Sequence, residues 1–70
     1  MNNVILAIRA VKARKIAEKI EPTHATIRDL IHEGCTMPEI RKAVKDGAVG
    51  FGETINSHYF FENDRNSNRN

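Results

Sequence analysis

Seventy residues, 40% of them hydrophobic, make one small domain near the lower limit at which a single core holds a fold without staples. The lone Cys35 excludes an intramolecular disulfide framework and points to a reducing, cytoplasmic setting. The formal net charge of +2 hides an asymmetry: residues 1–20 carry five cations against one acid, whereas residues 21–64 carry four cations against eight acids. A polyanion contact is therefore expected toward the N-terminal third. The plainer reading, a solvated helix face, stands beside it.

Residues 4–20 have apolar residues in helical spacing, but the apolar face drifts. Val4, Ala7, Ile8 and Val11 lie on one side, and Ala13, Ile16, Ala17 and Ile20 on nearly the opposite side. A single helix with one buried stripe does not do this, so the pattern predicts two helices broken near Lys12 and Ala13. The apolar run 4–8 is too short to span a membrane, and no positively charged segment precedes it, so neither a membrane contact nor a signal peptide is expected. Pro22 stops the segment, because the residue before a proline avoids helical geometry.

The helical pattern resumes at Thr23, whose hydroxyl suits an N-cap, and runs through Ile27, Leu30 and Ile31 to a terminator at Gly34. Thr36-Met37-Pro38-Glu39 is a capping-box signature opening a further helix, with Met37, Ile40 and Val44 on its apolar face and Gly47 at its close. Residues 48–62 read two ways. Gly50 and Gly52 weaken a helix, and the strand-prone Tyr59-Phe60-Phe61 suits a hairpin through Asn56-Ser57; a helix over 51–61 is the alternative. Residues 63–70 hold no apolar side chain and are expected to be disordered, leaving a single domain over residues 1–62.

Residues 15–31 read as two short amphipathic helices joined by a tight turn, with Ile16, Ala17 and Ile20 facing Ile27, Leu30 and Ile31. The stretch resembles the helix-turn-helix of DNA-binding regulators, whose second helix lies in the major groove. It departs from that family in its turn, where Glu21 and Pro22 stand in place of a glycine and an aliphatic residue. With a wing at His58-Tyr59-Phe60-Phe61, the chain resembles small winged-helix regulators, among them the pilus phase-variation type. A second register resembles plasmid-borne helix-turn-helix proteins through residues 33–40 and Thr54-Ile55-Asn56. It makes 25–33 the supporting helix, 36–46 the positioning helix and 51–61 the reader. Charge favours the first register, because phosphate contacts need cations around the docking helix.

The resemblance implies a mainly α fold, a small helix-turn-helix domain with a short C-terminal β wing. It also implies a phage- or plasmid-type transcriptional regulator that binds double-stranded DNA, reading the major groove with residues 23–33, and a homodimer would suit it. Thr23, His24, Thr26 and Arg28 would face the groove. Arg14, Lys15 and Lys19 would contact phosphates, with Lys42 and Lys45 as wing contacts. The rival is a protein-binding factor that redirects a host enzyme such as RNA polymerase without touching DNA, supported by the acidic balance of residues 21–64.

Other chemistry finds little support. Cys35 with His32 or His58 lacks a third orienting group, so no enzyme is expected. A zinc site would need Cys35, His24, His32 and His58, but no paired ligand spacing is present, so neither metal nor cofactor is expected. The run 47–52 lacks the Lys-Ser/Thr of a phosphate loop. Tyr59, Phe60 and Phe61 suit a core better than base stacking.

Overall fold

The computed structural model describes residues 3–53 and 58–63. In chain order these form α1 (Asn3–Ala17), β1 (Ala25–Thr26), α2 (Ile27–His32), α3 (Met37–Lys45), β2 (Val49–Glu53) and β3 (His58–Glu62). The strands make one antiparallel sheet in the order β1-β3-β2. The result is a small mixed α/β domain. Helices hold the larger share, but the sheet is integral, since Ala25, Val49 and Phe60 all enter the core.

The expected break near Lys12 and Ala13 is absent, and α1 runs unbroken. Its apolar face does not have to choose between two sides, because only Val4, Ala7, Ile8 and Val11 are buried. These positions follow the i, i+3, i+4, i+7 spacing of one helix stripe. Ala13, Ile16, Ala17 and Ile20 are all exposed, Ile16 by 57%. Their expected packing against a following helix is therefore corrected. Leu30 is buried as expected and Ile27 packs against the core, whereas Ile31 is exposed. Across from the α1 stripe, Leu30, Ile40, Ala43 and Cys35 complete the interior.

All three helices end in the same way. The N–H groups of Lys19 and Ile20 reach back to the carbonyls of Ile16 and Lys15; those of Gly34 and Cys35 reach Ile31 and Leu30; those of Gly47 and Ala48 reach Val44 and Ala43. This paired pattern is the Schellman closure, which places its penultimate residue in the left-handed region. Gly34 (φ 98°) and Gly47 (φ 82°) occupy that place without steric cost, while Lys19 (φ 58°) does so with a Cβ.

Two helix starts are equally explicit. The Asp29 N–H donates to the Thr26 hydroxyl and the Thr26 N–H to the Asp29 carboxylate; Thr36 and Glu39 repeat the exchange. Thr26 is therefore the cap of α2, correcting Thr23, because residues 25–26 are drawn into a strand against Phe60 and Tyr59. The expected tight turn between two helices over residues 15–31 is thus a longer connection containing β1. The helix pair with a short turn is α2 and α3, joined through residues 33–36.

Residues 49–53 and 58–62 form the hairpin, which overturns the alternative helix over 51–61. Its expected turn at Asn56-Ser57 lies outside the described residues. Gly50 pairs with Phe61 and Gly52 with Tyr59, and each aromatic ring lies where a glycine Cβ would stand. The glycines therefore seat rings rather than break structure. Of the three aromatics expected in the core, Phe60 is buried, Tyr59 half-buried and Phe61 exposed. Asn63, placed at sequence level in a disordered tail, donates through its N–H to the Ala48 carbonyl and through its side chain to the Gly47 carbonyl.

Gly34 has open space around its missing Cβ, so backbone conformation alone sets the cost of filling it. Gly34→Ala is expected to lose about 1–2 kcal/mol in thermal or urea unfolding. Lys19→Gly, at the same place in α1, is expected to leave stability unchanged or raise it by up to about 1 kcal/mol.

Candidate nucleic-acid interface

The N-terminal cations are largely spent on holding the domain together. The Lys15 ammonium donates to Asp29 Oδ2 at 2.7 Å and to the His24 carbonyl at 2.9 Å, tying α1 to the cap of α2 and to the entry of β1. Arg14 meets Glu33 at 2.9 Å at the other end of α2. Arg9 grips Glu62 of β3 with two hydrogen bonds of 2.9 and 2.6 Å, and the Asn3 amide reaches Glu39 of α3 at 3.5 Å. Lys19 is exposed beyond the end of α1.

Residues 23–33, expected to be one reading helix, are helical only over 27–32. Thr23 is half-buried, and His24 stacks on the Tyr59 ring with centroids 4.4 Å apart. The Thr26 hydroxyl is occupied by its cap. Arg28, exposed in the first turn of α2, has no ion pair among the described residues. Lys42 and Lys45 lie on α3, not on the hairpin, which corrects their place as wing contacts.

The face of α3 turned to solvent carries Pro38, Arg41, Lys42 and Lys45, while Ile40 and Ala43 face the core. Lys42 makes an exposed i,i+4 pair with Asp46 at 3.3 Å, and no ion pair engages Arg41 or Lys45 among the described residues. The position of these cations in the later turns of the helix also suits its dipole. Beside them, Met37, Val44 and Phe51 line an apolar groove of about 350 Å³ between α3 and the hairpin, with Arg41 and Lys45 at its rim. Reading the sequence missed Arg41. Its signal was available: a capping box at Thr36 fixes the helix phase, and that phase sends 41, 42 and 45 outward together.

Burial pushes the Cys35 thiol above its usual pKa, reinforced by the Glu39 and Glu33 carboxylates, so the thiol is held protonated. Among the described residues, no group of three or more His, Cys, Asp or Glu is arranged to hold a metal ion, and no helix is long and apolar enough to cross a membrane. Compared with family models, curated proteins and solved structures, the chain finds no match.

Desolvation pushes the Asp29 carboxyl up, but hydrogen bonds from Lys15 and from the N–H and hydroxyl of Thr26 outweigh it and leave the pKa below the ordinary carboxylate value. A carboxyl whose folded pKa is depressed stabilises the fold above its unfolded pKa, and that stabilisation is lost as pH falls through the folded value. Urea unfolding between pH 7 and pH 2 is expected to show this acid limb in the parent and a flatter one in Asp29→Asn. Lys15→Met, which strips the carboxylate of its partner, is expected to cost about 1–3 kcal/mol at pH 7.

Proposed function

We propose that this domain binds double-stranded DNA as a winged helix, with α2 and α3 as its helix-turn-helix, α3 as the reader and the β2–β3 hairpin as the wing. One observation carries the reading. The solvent face of α3 presents three cations on a helix fixed at both ends, by a capping box and by a Schellman closure. A helix so held can enter a groove about 12 Å wide without a large loss of freedom, and guanidinium and ammonium groups suit guanine edges and phosphates. Arg41 and Lys45 are the groove-facing pair in this reading, Lys42 is a phosphate contact, and Arg28 reaches the backbone from α2. The topology supports it, since β3 lies between β1 and β2 and so projects the hairpin beside α3.

A second reading has its own observation. Phe51 is 48% exposed beside the apolar groove, which suits an acidic, apolar segment of a protein partner such as a subunit of RNA polymerase. The two readings differ in what binds and in how salt acts on it.

Selection from a random duplex pool should enrich a site. Arg41→Ala is then expected to lower the preference for that site over random DNA by about 1–3 kcal/mol. Lys42→Ala should weaken both DNA classes alike and flatten the salt slope by about one unit. Lys15→Gln, once corrected for its lower stability, should leave the slope unchanged. No enrichment, with binding to random duplex unaltered in Arg41→Ala and Lys42→Ala, would reject the DNA reading in favour of the protein partner.

A further inference from the structure

A second concavity lies away from the face proposed for DNA. It has a volume of about 620 Å³ and opens between α1, the entry to β1 and the end of β3. No residue of α2, α3 or β2 lines it. Its apolar surface comes from Ile5 of α1, Ala48 and Phe61 of β3, backed by the buried Ile8, Ala25 and Phe60. A space of this size holds a small organic molecule, and apolar walls with a few polar groups are the usual make-up of such sites.

The polar groups give the ligand its charge. Arg9, Lys12 and Glu62 all line the cavity, and Glu62 is the sole acid among its lining residues. The fork between Arg9 and Glu62 uses both carboxylate oxygens. Lys12 acts on Glu62 only through its field, with no ion pair of its own among the described residues. Among the described lining residues, two cations against one carboxylate leave a formal balance of one positive charge, carried by Lys12. Thr23 and His24 add a hydroxyl and an imidazole to the lining.

We propose that this cavity binds a small organic monoanion, an aromatic or aliphatic body carrying one carboxylate, with the body against Ile5, Ala48 and Phe61 and the carboxylate on Lys12. A neutral molecule of the same shape leaves the Lys12 charge unmatched. A dianion exceeds it.

The test is a titration of the full chain with naphthalene-2-carboxylate and octanoate, each beside its primary amide, followed by NMR of backbone amides and methyl groups. At least one acid is expected to shift Ile5, Ile8, Ala25 and Ala48 saturably, with its amide binding about tenfold more weakly, the loss of one charge-assisted contact. Lys12→Gln is exposed and expected to fold as the parent does, and it should lose the same factor for the acid and nothing for the amide. Thr23→Trp, which fills the lining, should abolish binding of both. The proposal is overturned if neither acid moves those four residues at millimolar concentration, if acid and amide bind alike, or if Lys12→Gln binds the acid as tightly as the parent.

Discussion

The Lys15 ammonium is the contact on which the arrangement of this domain turns. It lies at the end of α1, the longest helix among the described residues, and donates at once to a carboxylate that caps α2 and to the carbonyl that leads into β1. Asp29 in turn accepts the N–H of Thr26, the residue at which a strand becomes a helix. One charge therefore braces the junction at which β1 ends and α2 begins and ties α1 to both. Its side chain is only 17% exposed, so the charge–carboxylate pair is screened less than an exposed pair would be. Such a pair is worth most as a constraint on geometry, because either partner left alone is costly.

The same logic extends along α1. The N-terminal stretch is cationic and the rest of the chain acidic, which at sequence level looks like an external field for a polyanion. Folding consumes much of it internally. Arg9, Arg14 and Lys15 meet Glu62, Glu33 and Asp29, three acids of the 21–64 stretch. The asymmetry is thus largely a record of which helix is packed on which elements. Lys12 and Lys19 stay outside these pairs, and a further cluster of three outward cations stands on α3, a helix from the stretch whose net balance is acidic. A regional charge count could not show this, because it treats paired and unpaired groups alike.

Local signals, by contrast, were legible one residue at a time. Gly34, Gly47 and the Thr36–Glu39 box each mark a helix boundary where the backbone needs a left-handed residue or a reciprocal pair of donors. Strand-prone aromatics beside glycines offered the hairpin with a helix over 51–61 as its alternative, and the pairing of β2 with β3 decides between them. The misreadings share one cause, the absence of tertiary context. Ile16, Ala17 and Ile20 have core-like spacing, yet among the described residues no element covers their side of α1. Thr23 looks as good a cap as Thr26, and only the pairing of Ala25 and Thr26 with β3 moves the start of α2 by one turn. Lys19 carries no mark of its positive φ at all, since a lysine is not what that conformation favours.

This shift of one turn changes which helix pair is read as the functional unit. With Thr26 as the cap, α2 is too short to present a face of its own beyond Arg28, and its buried Leu30 serves to seat it on the core. The helix that follows is longer, is held at both ends by hydrogen bonds that do not involve its outer face, and among the described residues pairs none of its cations with another element. A surface whose fixing contacts and outward groups are separate can bind without unfolding what holds it. Arg14 and Lys15 lack that separation: two of the three groups expected to meet a phosphate are those that brace α1. Binding through Lys15 would exchange an internal carboxylate for an external anion at the expense of the α2 cap, whereas binding through Arg41 and Lys45 breaks no ion pair among the described residues. That difference in internal cost is why α3, and not the more basic end of the sequence, is the better candidate surface.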